Sequence, residues 1–88
     1  MKANSDEWEE PFESLFNHLL GVLGENIKTF RQRRHLKSED LAALSGVSTV
    51  TLSQLENGRK KDVTLSTIAA ISKGLGLSEW VLLQAPTK

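Results

Sequence analysis

Ser38 to Gly58, SEDLAALSGVSTVTLSQLENG, is the stretch that decides how this chain folds. Two short apolar-periodic runs lie on either side of one glycine. The first carries Leu41, Ala42 and Leu44, and the second carries Val50, Leu52 and Leu55. Gly46 stands between them, where a turn with positive φ costs a glycine nothing sterically. Val47 follows as an apolar plug, and Ser48 is placed to N-cap the second run. The spacing predicts two helices meeting at a sharp angle across a turn of roughly three or four residues. Ala42 is small enough to let the helices approach, and Leu41, Val47, Leu52 and Leu55 can share one core. Thr49, Thr51, Ser53 and Gln54 point elsewhere. They are short, uncharged and able to hydrogen-bond, which suits a probe of base edges in the major groove.

Beyond this unit, Asn57-Gly58 carries a left-handed cap signal, and Arg59, Lys60, Lys61 and Asp62 form an exposed loop. Thr64 caps a further helix in which Leu65, Ile68, Ile71 and Leu75 line one face, closed by Gly74 and Gly76. Ser78 caps a last helix, EWVLLQ, before Pro86, with Trp80 as its core anchor. On the other side, a helix runs from about Val22 or Glu25 to His35. It turns Leu23, Ile27 and Phe30 inward and Lys28, Arg33 and Arg34 to water. Pro11 suits the first position of an earlier helix. That helix carries Phe12, Leu15, Phe16, Leu19 and Leu20 as an amphipathic stripe, and Gly21 and Gly24 weaken or end it. Residues 1–10 are polar and expected to fray, except that Trp8 docks on a neighbouring surface. No alternation suggests strands, so the chain reads as all-α. It divides into an acidic extension with an amphipathic helix (1–20), a domain (21–85) and a tail (86–88).

The 88 residues carry no net charge, and 39% are hydrophobic, which suits one small globular domain. The charge is unevenly spread. Residues 1–13 have a net charge of −4 and residues 25–62 have +3. Neutrality therefore does not argue against a polyanionic partner, because positive charge collects around the central unit. The chain has no cysteine, which removes disulfides and thiolate metal sites and suits a reducing cytoplasm. No apolar run approaches membrane-spanning length, and the acidic start is unlike a signal peptide. His18 and His35 are far apart, with no partner at ligand spacing, so no metal site is expected. No serine stands in a nucleophile-elbow setting, and no glycine run follows a strand, so an enzyme is not expected.

With these residues in place, Ile27 to Leu83 resembles the Cro/C1-type (XRE-like) helix-turn-helix family, the repressors of lambdoid phages and their bacterial relatives. The marks are LAALSGVS, the SQLENG ending, the basic loop after it and the closing GLSEWVLL. They cover about two-thirds of the chain. The resemblance implies a five-helix lambda-repressor-like domain, here with an extra N-terminal amphipathic helix. The 38–45 helix would span the DNA backbone and the 49–57 helix would enter the major groove. It also implies a two-fold dimer reading half-sites roughly 34 Å apart. Carried over, Thr49, Val50, Thr51 and Gln54 face bases, while Ser38, Ser48, Ser53, Arg59, Lys60 and Lys61 meet phosphates. Glu56 matches a family acid that pairs with an arginine, here Arg31. Three departures stand out. Lys37-Ser38 replaces a Thr-Gln pair whose Gln holds a phosphate, and Ser45 takes a position that is often aliphatic, thinning the core. Residues 1–20 lie outside the family's minimal domain.

The expected function is a sequence-specific regulator of double-stranded DNA, a repressor, acting as a cytoplasmic homodimer on a pseudo-palindromic operator without a cofactor. A second reading is the antitoxin of a toxin–antitoxin pair, which would also hold a toxin. A third is a protein-interaction adaptor that kept the fold and lost DNA. By composition alone, the Thr/Ser/Gln face would be an ordinary solvated helix surface; the basic loop and the turn reverse that. The stripe Phe12, Leu15, Phe16 and Leu19 either extends the domain's own core or forms a dimer or partner surface.

Overall fold

A computed structural model of the chain describes residues 5–84, with side chains from Phe12 onward except that of Glu79. The expectations for Trp8's docking, for Pro86 and for the 86–88 tail lie outside these. The order is α1 (Ser5–Arg33), α2 (Ser38–Ser45), α3 (Thr49–Glu56), α4 (Leu65–Leu75) and a short 3-10 helix, Glu79–Leu83. Among the described residues there is no strand.

The first difference from the sequence reading is α1. It is one helix of 29 residues, unbroken at Gly21 and Gly24, and it ends at Arg33, not His35. Pro11 is inside it and does not begin it, because the helix starts at Ser5. The boundary drawn at residue 20 therefore falls within a single helix. Two glycines in a helix cost about 1 kcal/mol each against alanine, but here they serve different ends. A Cβ at Gly24 would run into the backbone carbonyl of Leu55, so glycine lets α1 and α3 touch backbone to backbone. A Cβ at Gly21 would meet nothing within 4 Å. The helix ends where His35 takes a left-handed conformation (φ 56°) and the Leu36 N–H donates back to the Arg31 carbonyl at 3.0 Å.

The core is a single cluster of Leu23, Ile27, Leu41, Leu52, Leu55, Ile68, Ile71, Leu75 and Leu82, with Val47, Phe30 and Ala42 packed against it. Leu41, Val47, Leu52 and Leu55 thus do meet. α2 packs on α4, and Gly74 permits the approach: its Cβ position is 3.1 Å from Ser45 Cβ and 3.2 Å from Leu41 Cδ1. Gly74 is interior to α4, and Gly76 alone closes the helix. Ser45 does more than thin the core. Its hydroxyl donates to the Leu41 carbonyl at 2.7 Å and accepts from the Val47 N–H at 3.2 Å, tying the last turn of α2 to the plug after it.

The C-terminal segment differs too. Ser78 makes no side-chain cap, and EWVLL forms a 3-10 helix. Trp80 is 61% exposed, while Leu82 is fully buried and is the anchor. Asn26 explains the choice. It is buried on the inward face of α1, and its amide donates to the carbonyls of Leu82 (2.8 Å) and Gln84 (2.7 Å). Fixing Leu82 inward leaves Trp80, about two-thirds of a turn earlier at three residues per turn, facing out. Leu65, placed with the buried face of α4, is 72% exposed at the helix's first position.

The two α1 glycines should respond oppositely to alanine. Gly24→Ala should lose about 1–3 kcal/mol or more, because backbone must move aside. Gly21→Ala should gain about 0.5–1 kcal/mol. Urea unfolding of both variants checks this, and equal effects would contradict the backbone contact.

Candidate nucleic-acid interface

α3 is framed by local signals that leave its outer face free. The Ser48 hydroxyl accepts from the Thr51 N–H at 3.1 Å, capping the first turn. Gly46 at φ 77° makes the turn before it, and Leu52 and Leu55 bury the opposite face. Thr49, Val50 and Ser53 are exposed, and Thr51 and Gln54 are half-buried. Val50, read within an apolar run, is 64% exposed, and so is on the outer face. Leu44 of α2 is also exposed. Three of these hydroxyls already have internal partners. Ser48 donates to Thr51 Oγ1 at 3.0 Å, and Asn57 donates to Ser53 Oγ at 3.2 Å.

The basic loop is held against the same helix. Gly58 at φ 69° reverses the chain, and the Arg59 N–H donates to the Gln54 carbonyl at 2.8 Å. Thr51 and Lys60 consequently line one cleft of about 260 Å³, with Asp62, Val63, Thr64 and Thr67. Thr64 caps α4 there, accepting from the Thr67 N–H at 3.2 Å. Where α1 ends, the guanidinium groups of Arg33 and Arg34 lie 5.6 and 5.8 Å from the Phe30 ring centre. Both arginines are exposed, and their charges share the face of one aromatic ring. Ser38 is the first residue of α2, after Lys37, whose N–H donates to Asp40 Oδ2 at 2.8 Å. In the chain, the α2–α3 unit is thus preceded by Arg33, Arg34 and Lys37 and followed by Arg59, Lys60 and Lys61.

α3 is fixed in its tilt by an ion pair. Arg31 Nε donates to Glu56 Oε2 at 2.8 Å and Nη2 to Oε1 at 2.9 Å, a two-point clasp. The third nitrogen, Nη1, donates to the Leu36 carbonyl at 2.9 Å. The two side chains are only 14% and 9% exposed. The hydrogen bond that Arg31 donates to Glu56, more than the charge of Glu56, raises the Arg31 pKa above its already high ordinary value, against the opposing effect of burial. For a base with a raised pKa, the stabilisation is present below the unfolded pKa and lost as pH rises through the folded one. The arginine side of the clasp is therefore intact throughout the physiological range. Asn26 was not singled out by sequence reasoning. The available signal was a polar residue three positions after Leu23 on an otherwise apolar inward stripe.

Residues 27–79 match the helix-turn-helix family profile, which spans more than half of the chain. The chain belongs to this family. Within it, control protein C.SmaI of Serratia marcescens is 32% identical over 63 residues, covering 72% of this chain and 74% of that one. The HTH-type transcriptional regulator RghRB of Bacillus subtilis is 36% identical over 57 residues, 61% of this chain but 41% of its own length. Among solved structures, the hypothetical transcription factor NHTF from Neisseria superposes with a TM-score of 0.72 at 31% identity, covering 77% of each chain. The restriction-modification controller protein C.AhdI of Aeromonas hydrophila gives 0.67 at 27% identity, covering 72% of this chain and 94% of that one. This helix-turn-helix protein is thus a transcriptional regulator of the Cro/C1 type, with α2 and α3 as its two-helix unit. Among the described residues, no helix is long and apolar enough to cross a membrane.

Glu56→Ala should strand the half-buried Arg31 charge and lower stability by about 3 kcal/mol. Denaturant unfolding at neutral pH checks this, and an unchanged midpoint would place the pair in solvent.

Proposed function

We infer that the protein is a sequence-specific repressor that binds double-stranded DNA as a homodimer. In this reading α3 enters the major groove, with Thr49, Val50, Thr51 and Gln54 toward the bases. Gln54 has the two-point geometry for adenine, and Val50 suits a thymine methyl. Arg59, Lys60 and Lys61 would follow the phosphates on one side, and Ser38 on the other, with Ser48 and Ser53 along the helix edge. The observation that carries the reading is the position of the basic loop. Gly58 and the Gln54 carbonyl bring three cationic residues beside an uncharged, outward helix face. That pairing of neutral probe and cationic flank is what separates base reading from backbone gripping.

Two similar proteins, C.SmaI and C.AhdI, are control proteins, the latter of a restriction-modification system. That similarity supports a narrower second reading, in which the operator governs genes of such a system.

Selection from random duplexes tests both readings. Recovery of a palindrome with half-sites about 34 Å apart is expected, and no enrichment would overturn sequence-specific binding. A palindrome occurring upstream of restriction-modification genes would favour the narrower reading. Gln54→Ala should relax preference at one base pair by about 1–3 kcal/mol, whereas Lys60→Ala should weaken all sequences alike and reduce the salt slope by about 1. With about five cationic contacts per subunit, log affinity should fall with log salt at a slope near −4 to −5, and a slope near zero would contradict phosphate gripping.

A further inference from the structure

The N-terminal half of α1 presents apolar surface that the domain body does not cover. Phe12 is 66% exposed and Leu15 is 58% exposed, while Phe16 and Leu19 are half-buried. The rings of Phe12 and Phe16 stack at 5.9 Å. Along the same helix, Phe16, Leu19 and Leu20 form one wall of an apolar groove of about 150 Å³, closed by Val63, Ile68 and Leu83. Trp80, exposed, is one turn before the groove residue Leu83 in the 3-10 helix. An apolar helix face running into an apolar groove is larger than scattered surface residues require, and marks a contact surface.

Three features select a second copy of this chain as what covers it. Residues 14–24 contain no Asp, Glu, Lys or Arg, so in a pairing centred between positions 15 and 16 Glu7, Glu9, Glu10 and Glu13 of one copy each fall opposite a non-acidic residue of the other. The apolar positions 12, 15, 16 and 19 are symmetric about their midpoint. An antiparallel pairing of two α1 helices therefore sets Phe12 against Leu19, with Leu15 and Phe16 meeting around the axis. Finally, Leu19 is itself a wall of the groove, so the ring of Phe12 from one copy arrives at the groove of the other. An apolar cavity of roughly 150 Å³ is of a size that takes up one benzene ring. Covering these surfaces on both copies removes on the order of 1,000 Å² from water, about the minimum for a specific interface.

We propose that the homodimer is built on α1, through antiparallel pairing of Phe12, Leu15, Phe16 and Leu19 with insertion of each Phe12 into the other copy's groove. This rests on the dimeric DNA-binding reading for its purpose, but its test is separable. Sedimentation equilibrium should find the full chain dimeric and the double variant Phe12→Glu/Leu15→Glu monomeric, with an unchanged circular-dichroism spectrum. Leu44→Glu, at an exposed apolar position on α2, should remain dimeric. Because the chain has no cysteine, Leu15→Cys supplies a unique thiol that should cross-link between copies under mild oxidation, while Leu44→Cys should not. The cross-link decides the matter if the double variant does not fold. A double variant that stays dimeric, a cross-link at residue 44 and not 15, or a parent chain monomeric at high micromolar concentration would each overturn the proposal. The last would leave the groove to another protein. On a palindromic duplex the monomeric variant should bind at least about tenfold more weakly, while keeping half-site binding. Loss of DNA binding by the parent chain, with the association pattern intact, would count against the regulatory reading and leave the α1 dimer standing.

Discussion

Everything in this small protein depends on how closely α1 and α3 approach. At Gly24 the two backbones touch, because a Cβ there would collide with the Leu55 carbonyl. Two turns along α1, Arg31 closes on Glu56 with two parallel hydrogen bonds and uses its remaining nitrogen to hold Leu36. The steric contact and the ion pair constrain the tilt of α3 at two separated points. A helix of only eight residues has little stability of its own. Its orientation is therefore inherited from the long helix behind it. Gly24 and Arg31 together do for α3 what a larger core would do in a larger domain.

Much of the central unit was legible because it is governed by local chemistry. A serine before an apolar run caps a helix, a glycine after one takes positive φ, and Ser48, Thr64, Gly46 and Gly58 all act in that way. The pairing of Arg31 with Glu56 came from family resemblance, since residues 25 apart give no local signal. What failed to be legible was set by tertiary contact. Gly21 and Gly24 read as breaks because propensity counts their cost alone, whereas a long helix that buries Leu23 and Ile27 absorbs that cost, and Gly24 is required for the contact with α3. Trp80 read as an anchor because it is large and apolar. The side that faces inward was decided by a remote residue, Asn26, gripping the carbonyls of Leu82 and Gln84.

The long helix also joins the two surfaces to which functions are proposed. Its C-terminal half clamps α3, and its N-terminal half carries the apolar stripe toward the groove of Val63, Ile68 and Leu83. Glu13 and Asn17 face the basic loop at Gly58–Lys61 across a second cleft. Association of copies through α1 would thus be transmitted to the spacing of the α3 helices by a rigid rod. A flexible linker in its place would let the two readers drift, and half-site spacing would lose its meaning.

In the proposed function, a duplex binds the face at Thr49–Gln54, flanked by Arg59–Lys61. Titrating the isotope-labelled protein with a mixed-sequence DNA duplex at low salt, and following backbone amide shifts by NMR, tests it most directly. Shifts should concentrate at Ser38, Ser48 to Gln54 and Arg59 to Lys61, with quiet amides from Phe12 to Leu20. Shifts centred on Phe12 to Leu20, or none at any position, would contradict it.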